Sequence, residues 1–189
     1  MLLERVKAET RHHHDRIEKL NSLPTTREEH VAQLEAFYGF VAPWEQHVAE
    51  ALPPEDPVRQ GREKTSWLEA DLRHFGHDTE SLARLPRCVA LPPGDSRTEI
   101  LGVAYVLEGS TLGGQMISRH LEEKLGLSGG EGYRYFQSYG RNVGPMWQAF
   151  RAELLRASSP EADDTIVGAA RVTFERLHAW FAQRKPALA

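Results

Sequence analysis

Three groupings of side chains in this sequence have types and spacings that could do chemistry. The first is the run His12-His13-His14. Successive residues on a helix point about 100° apart, so three adjacent histidines cannot chelate one metal ion from one face. Either they are surface histidines with one satisfied in the core, or one imidazole is a ligand. The second is Glu108-Gly-Ser-Thr-Leu-Gly-Gly-Gln115, inside an otherwise apolar helical segment. Gly109, Gly113 and Gly114 fall at i, i+4 and i+5, and each costs about 1 kcal/mol against alanine in a helix interior. Faces without Cβ atoms let something flat lie on the backbone and make a kink easy. Tight helix packing, or a loop between two helices, would use the same residues. The GxxxxGK[ST] phosphate-loop pattern is absent. The third is Cys88, the only cysteine. It excludes an intrachain disulfide and any thiolate cage for zinc or an iron–sulfur cluster, and no His/Asp constellation surrounds it in sequence. Glu108 with His120, and His74 with His77, have no metal-ligand spacing and read as solvated side chains.

These groups must be positioned by helices. Leu3, Val6, Thr10, His13, Ile17 and Leu20 recur at alternating steps of three and four and form one stripe of a first helix. Lys7 and His14 lie one heptad apart on the flank of that stripe, with Arg11 between them. His14 is therefore the histidine best placed to be a metal ligand or an axial ligand of haem, and Lys7 and Arg11 could grip the propionates of a haem beside it. Pro24 ends this helix. Thr26 and Glu29 make a capping box for a second helix, with an apolar face from Val31 to Leu52. Pro43 predicts a kink or a break in it, and Pro53 and Pro54 stop it. A third helix is expected over 57–73 and a short one over 79–85. The stretch 86–96 reads as a loop before a second capping box, Ser96 with Glu99, and an apolar segment running to about Leu125. Residues 126–134 read as loop, Pro145 opens a helix, and Ser159-Pro160 starts the last one, with Ile166, Val167, Ala170, Phe174, Leu177 and Phe181 along one face. Trp44, Trp67, Trp147 and Trp180 are expected in the core or lining a pocket. Period-two alternation is nearly absent. The expected fold is an all-α bundle of about seven or eight helices in one domain, 1–189.

Composition sets the outer bounds. Hydrophobic residues make up 40% and charged residues 26% of 189, as in a globular domain. The net charge of −4, with no basic run, argues against nucleic acid as a partner. The N-terminus is charged where a signal peptide is apolar, and no window of about 18 uninterrupted apolar residues would span a membrane. With the single cysteine, these features make the cytoplasm the expected location.

Two segments resemble a known family. Lys7 to Leu20, KAETRHHHDRIEKL, is similar to the proximal helix of haem oxygenases, in which a K-A-x-T-x-x-x-H-x-x-x-[DE] pattern carries the axial histidine. Here the threonine is Thr10, the histidine His14 and the acid Glu18. Gly102 to Leu121, GVAYVLEGSTLGGQMISRHL, resembles the distal helix, above all that of the bacterial biliverdin-producing branch. The resemblance implies a helical bundle with haem b between these helices. It implies His14 as iron ligand, and Gly109, Ser110, Gly113 and Gly114 on the oxygen side. Lys7 and Arg11 become propionate contacts, with Arg151 and then Arg141 as further candidates. The implied activity is cleavage of haem, both substrate and cofactor, by O2 to biliverdin, carbon monoxide and ferrous iron. The chain shows no flavin or nucleotide fingerprint, so electrons would come from an external reductant, a ferredoxin or a flavin reductase. Biliverdin could pass to a phytochrome or end an iron-salvage route. Ser110 stands where the mammalian-type motif has an aspartate. That departure keeps open a non-catalytic haem carrier or sensor on the same fold. A third possibility, a relative of thiamine-type hydrolases, is poorly served by Cys88 in a loop.

Overall fold

A computed structural model describes residues 1–184. Its helices are α1 (Leu2–Leu20), α2 (Arg27–Ala51), α3 (Thr65–His74), α4 (Thr79–Arg84), α5 (Arg97–Ser110), α6 (Gly114–Leu125), α7 (Arg134–Gln137), α8 (Val143–Ala157) and α9 (Pro160–Ala182), with 3-10 turns at Thr111–Gly113 and Gly140–Asn142. No strand occurs among the described residues. Both expected capping boxes form. The Glu29 amide donates to the Thr26 hydroxyl and the Glu29 carboxylate accepts the Thr26 amide; Ser96 and Glu99 repeat the pattern. Asp78 and Ser81 make a third box that heads α4. No helix of the described residues is long and apolar enough to cross a membrane.

Two expectations are corrected. The helix anticipated over 57–73 begins only at Thr65. Upstream, the Asp56 carboxylate takes the Val58 amide, and Gly61 adopts a left-handed φ of 68°, which no helix continues through. The helix count exceeds seven or eight, because the distal segment splits into α5 and α6 and the stretch read as loop ends in the short α7. Pro43 neither breaks nor ends α2. Its missing N–H leaves the Gly39 carbonyl without a helical donor, and the Cys88 amide supplies one at 2.7 Å.

The layout follows from α9. Its apolar face, from Ile166 to Phe181, packs against both α1 and α5. The approach of α5 is close: a Cβ on Gly102 would stand 2.4 Å from the Ile166 carbonyl oxygen. Trp180 donates its indole N–H to Ala36 at 2.7 Å and ties α9 to α2. α8 touches both α1 and α5. A second apolar cluster joins α2, α3, α6 and α7, and Phe37 borders both cores. Thus α8 and α9 are shared neighbours of the two segments singled out from the sequence.

Candidate functional site

On α1 the expected stripe is buried: Leu2, Val6, Thr10 and His13. His13 is 6% exposed and stacks on Phe174 of α9. Burial, together with the neighbouring His12, lowers its pKa and favours the neutral imidazole. Lys7, Arg11, His12 and His14 are exposed. His14 lies edge-on to the same Phe174, at 6.1 Å between ring centroids. Its Nδ1 is 3.7 Å from a Glu18 carboxylate oxygen, one turn on, and 3.8 Å from Asp15. Carboxylates beside Nδ1 favour the tautomer with its proton there, which leaves Nε2 as a metal donor. His14, Asp15 and Glu18 also offer ligand atoms within 4.8 Å of one another, the one such cluster among the described residues.

The glycine-rich segment turns from α5 through a 3-10 turn into α6. At the turn Ser110 donates to the Leu107 carbonyl at 2.8 Å, and Thr111 donates to that of Glu108 at 2.7 Å. The Ser110 hydroxyl is exposed, and its lone pairs stay open as acceptors. The three glycines differ. A Cβ on Gly113 would meet nothing within 4 Å, and one on Gly109 would make ordinary contact with Trp147. On Gly114 it would lie 2.0 Å from the Phe136 carbonyl oxygen, so Gly114 is required by packing against α7. Leu112 and Met116 are 50% and 67% exposed, a pair of large apolar side chains flanking the open glycine.

α8 brings a cation to this region. Trp147 would contact a Cβ on Gly109 and lies tilted against Tyr105, and Arg151, one turn further, is close enough for its charge to act on the Tyr105 hydroxyl. Arg151 is exposed, as is Arg141 in the 3-10 turn ahead of α8. More than two helical turns of α8 separate them. Lys7, Arg11 and His14 therefore share one flank, Arg151 sits near Tyr105, one turn before Gly109 on α5, and Arg141 stands apart at the head of α8.

Glu108 corrects the expectation of a solvated carboxylate. It is 3% exposed on the inner face of α5. Arg62 Nη1 and Lys64 Nζ each reach one of its oxygens at 2.5 Å, and the Tyr139 hydroxyl donates at 2.9 Å. Lys64 also donates to the Tyr139 hydroxyl at 3.1 Å, and Arg62 to the Met146 and Pro57 carbonyls. Burial and the adjacent Glu108 push the Tyr139 pKa far up, so the phenol stays protonated. Nearby, Glu45 accepts the Lys64 and Thr65 amides and the Thr65 hydroxyl, and burial raises its pKa. One sign of this network is in the sequence: a carboxylate inside an apolar helix requires a buried partner. Nothing local says which.

α7, which holds Gly114 from behind, is itself held. Asp71, 1% exposed, accepts the Arg134 and Tyr135 amides at 2.7 and 2.8 Å; burial pushes its pKa up to about 6. His30 shares a hydrogen bond of 2.7 Å with the Gly132 carbonyl just upstream.

An exposed histidine and two cations on one helix, and an open glycine turn on a second that shares its neighbours, are the parts the resemblance assigns. Residues 1–183 match the family model described as Heme oxygenase. The chain belongs to the haem oxygenase family. A haem oxygenase of Xanthomonas campestris pv. campestris (strain 8004) is 31% identical over 121 residues, 63% of this chain and 67% of that protein. Among solved structures, the NO- and CO-bound haem oxygenase of Neisseria meningitidis superposes with a TM-score of 0.79 at 21% identity, covering 100% of this chain and 95% of that one. That of Leptospira interrogans gives 0.75 at 15% identity, covering 96% and 98%. Haem oxygenase 2 of Chlamydomonas reinhardtii, solved without haem, gives 0.74 at 17%, covering 98% and 99%. These likenesses establish the all-α haem oxygenase fold. The family membership makes the chain a haem-degrading enzyme.

Proposed function

We propose that the protein cleaves haem b with O2 to biliverdin, carbon monoxide and ferrous iron, drawing electrons from a ferredoxin or a flavin reductase. The observation that carries this reading is the division of labour among the three histidines. His13 is spent on the core, whereas His14 is exposed beside carboxylates and on the same flank as Lys7 and Arg11. The residues fit haem: an imidazole donor, cations for propionates, an open glycine at Gly113 and exposed apolar Leu112 and Met116 for a flat ring. Bound haem supplies both the iron that activates oxygen and the ring that is cut. The protein binds and orients. Glu18 and Asp15 hold the His14 tautomer. Lys7, Arg11 and Arg151 orient the carboxylates of the substrate, with Arg141 a more remote contact. Gly109 and Gly113 leave room against the backbone, Gly114 fixes the turn, and the Ser110 lone pairs can accept a hydrogen bond from water. A cytoplasmic location, with biliverdin passing to a phytochrome or released during iron salvage, suits this chemistry.

A haem carrier or sensor is the second reading, favoured by one observation: the Ser110 proton is committed to Leu107, and no carboxylate stands at that position. An absorption titration with haemin, followed by reductant under air, separates them. A Soret band that decays into a broad red biliverdin band supports the enzyme. A stable Soret band supports the carrier. No Soret band would overturn both.

A further inference from the structure

The ionic cluster behind the distal turn has no part in the binding roles above, yet Glu108 is the residue directly before Gly109. Glu108 and Thr111 face inward, whereas Ser110 and Gly113 are exposed on the outer side of the same turn. The thickness of one helix separates the two faces, about 10 Å. On the inner face two cations, Arg62 and Lys64, hold the Glu108 carboxylate, all three under 9% exposed. Tyr139 is hydrogen-bonded to both signs. Glu45, Tyr135, Arg59 and Glu63 are the other charged or titratable groups around the cluster, bordering a cavity of about 50 Å³. Charges so buried are screened far less than surface pairs. Three separate segments meet at Glu108: the turns before α3, α5 itself, and the stretch leading to α8. A structural tie between them needs only complementary groups. Buried charges of both signs one helix away do something more, since each shifts the potential at the outer face in the direction of its own sign.

We propose that this cluster sets the electrostatic potential on the oxygen-facing side of the Gly109–Gly114 turn, with Glu108 and Lys64 as levers of opposite sign. The inference rests on the haem-binding reading above. Glu108 and Lys64 are tuning residues, since neither reaches the outer face.

The test uses the full-length ferric haem complex and its acid–alkaline spectral transition, whose alkaline form carries one more negative charge on the distal side. Glu108→Gln removes a negative charge and should lower the transition by about one pH unit; Lys64→Met removes a positive charge and should raise it by a similar amount. Far-UV circular dichroism and the haem stoichiometry establish that each variant is folded and loaded. If one variant does not fold, the sign of the other's shift decides. Opposite shifts support the proposal, because mere loosening of the turn has no reason to reverse sign with charge. Shifts in the same direction, or both under about 0.2 pH unit, overturn it while leaving the haem assignment intact. A wild-type protein that gives no Soret band would fail the haem reading first, and this inference with it.

Discussion

The outer flank of α1 and the inner face of α5 place charged groups in opposite ways. On α1, Lys7, Arg11 and His14 are exposed and set by helical spacing alone. On α5, Glu108 is buried and matched by Arg62, Lys64 and Tyr139 from segments 46, 44 and 31 residues away. Groups that await a ligand stay solvated until it arrives and cost the fold little. Groups that shape a turn from behind are desolvated, so each must find its partner within the protein. The contrast predicts that variants on the outer flank of α1 damage binding without damaging stability, and that variants behind α5 do the reverse.

The sharpest way to break this comparison is His14→Ala. It should abolish the histidine-ligated haem spectrum and leave thermal unfolding of the apoprotein almost unchanged. His12→Ala should change neither. A Soret spectrum surviving in His14→Ala would remove the ligand from this flank. Next in size is Glu108→Ala, which strands two buried cations and should cost about 3–5 kcal/mol in denaturant unfolding. A loss under 1 kcal/mol would mean that the cluster is open to water. The glycines test the same divide within one turn. Gly114→Ala should cost about 2–3 kcal/mol, as backbone must shift, whereas Gly113→Ala should be neutral or slightly stabilising to the apoprotein and weaken haemin affinity. Equal effects at the two positions would erase the distinction drawn between them. His13→Ala should keep the ligated spectrum and lose about 1–2 kcal/mol, from its lost stack on Phe174.

Asp71 gives a subtler test, read by pH. Its folded pKa, about 6, lies above the ordinary 3.8. The folded state therefore binds the proton more tightly than the unfolded chain does. The contribution of Asp71 is least favourable above about pH 6, improves as pH falls toward 4, and is constant below that. Relative to Asp71→Asn, wild-type stability should gain about 2–3 kcal/mol across that window. The variant itself starts lower, because an amide cannot accept both the Arg134 and Tyr135 amides as a carboxylate does. A stability difference that does not change with pH would place the Asp71 pKa at its ordinary value.

Much of α1 was legible because its chemistry is periodic. One stripe buries, its flank stays free, and the spacing alone separates His13 from His14. The helix starts were legible where a side chain caps its own neighbours, as at Thr26 and Ser96. The turns before α3 were not, because hydrophobic spacing there continues past a residue whose backbone is left-handed, Gly61. Gly114 shows the limit of composition. Its sequence neighbours suggest room for a ligand, but its reason is the Phe136 carbonyl, in a stretch between the 126–134 loop and Pro145 to which the sequence pattern assigns no element. The partners of Glu108 lay beyond any local pattern, since they come from turns that helical periodicity does not describe.

The Cys88 amide stands in a loop, yet it completes the hydrogen-bond ladder of α2 at the place where Pro43 leaves it open. Its exchange with solvent deuterium should accordingly follow the opening of that helix and not the faster breathing of surface loops. One slow amide amid quick neighbours would make this loop a reporter on the kinetics of the longest helix in the bundle.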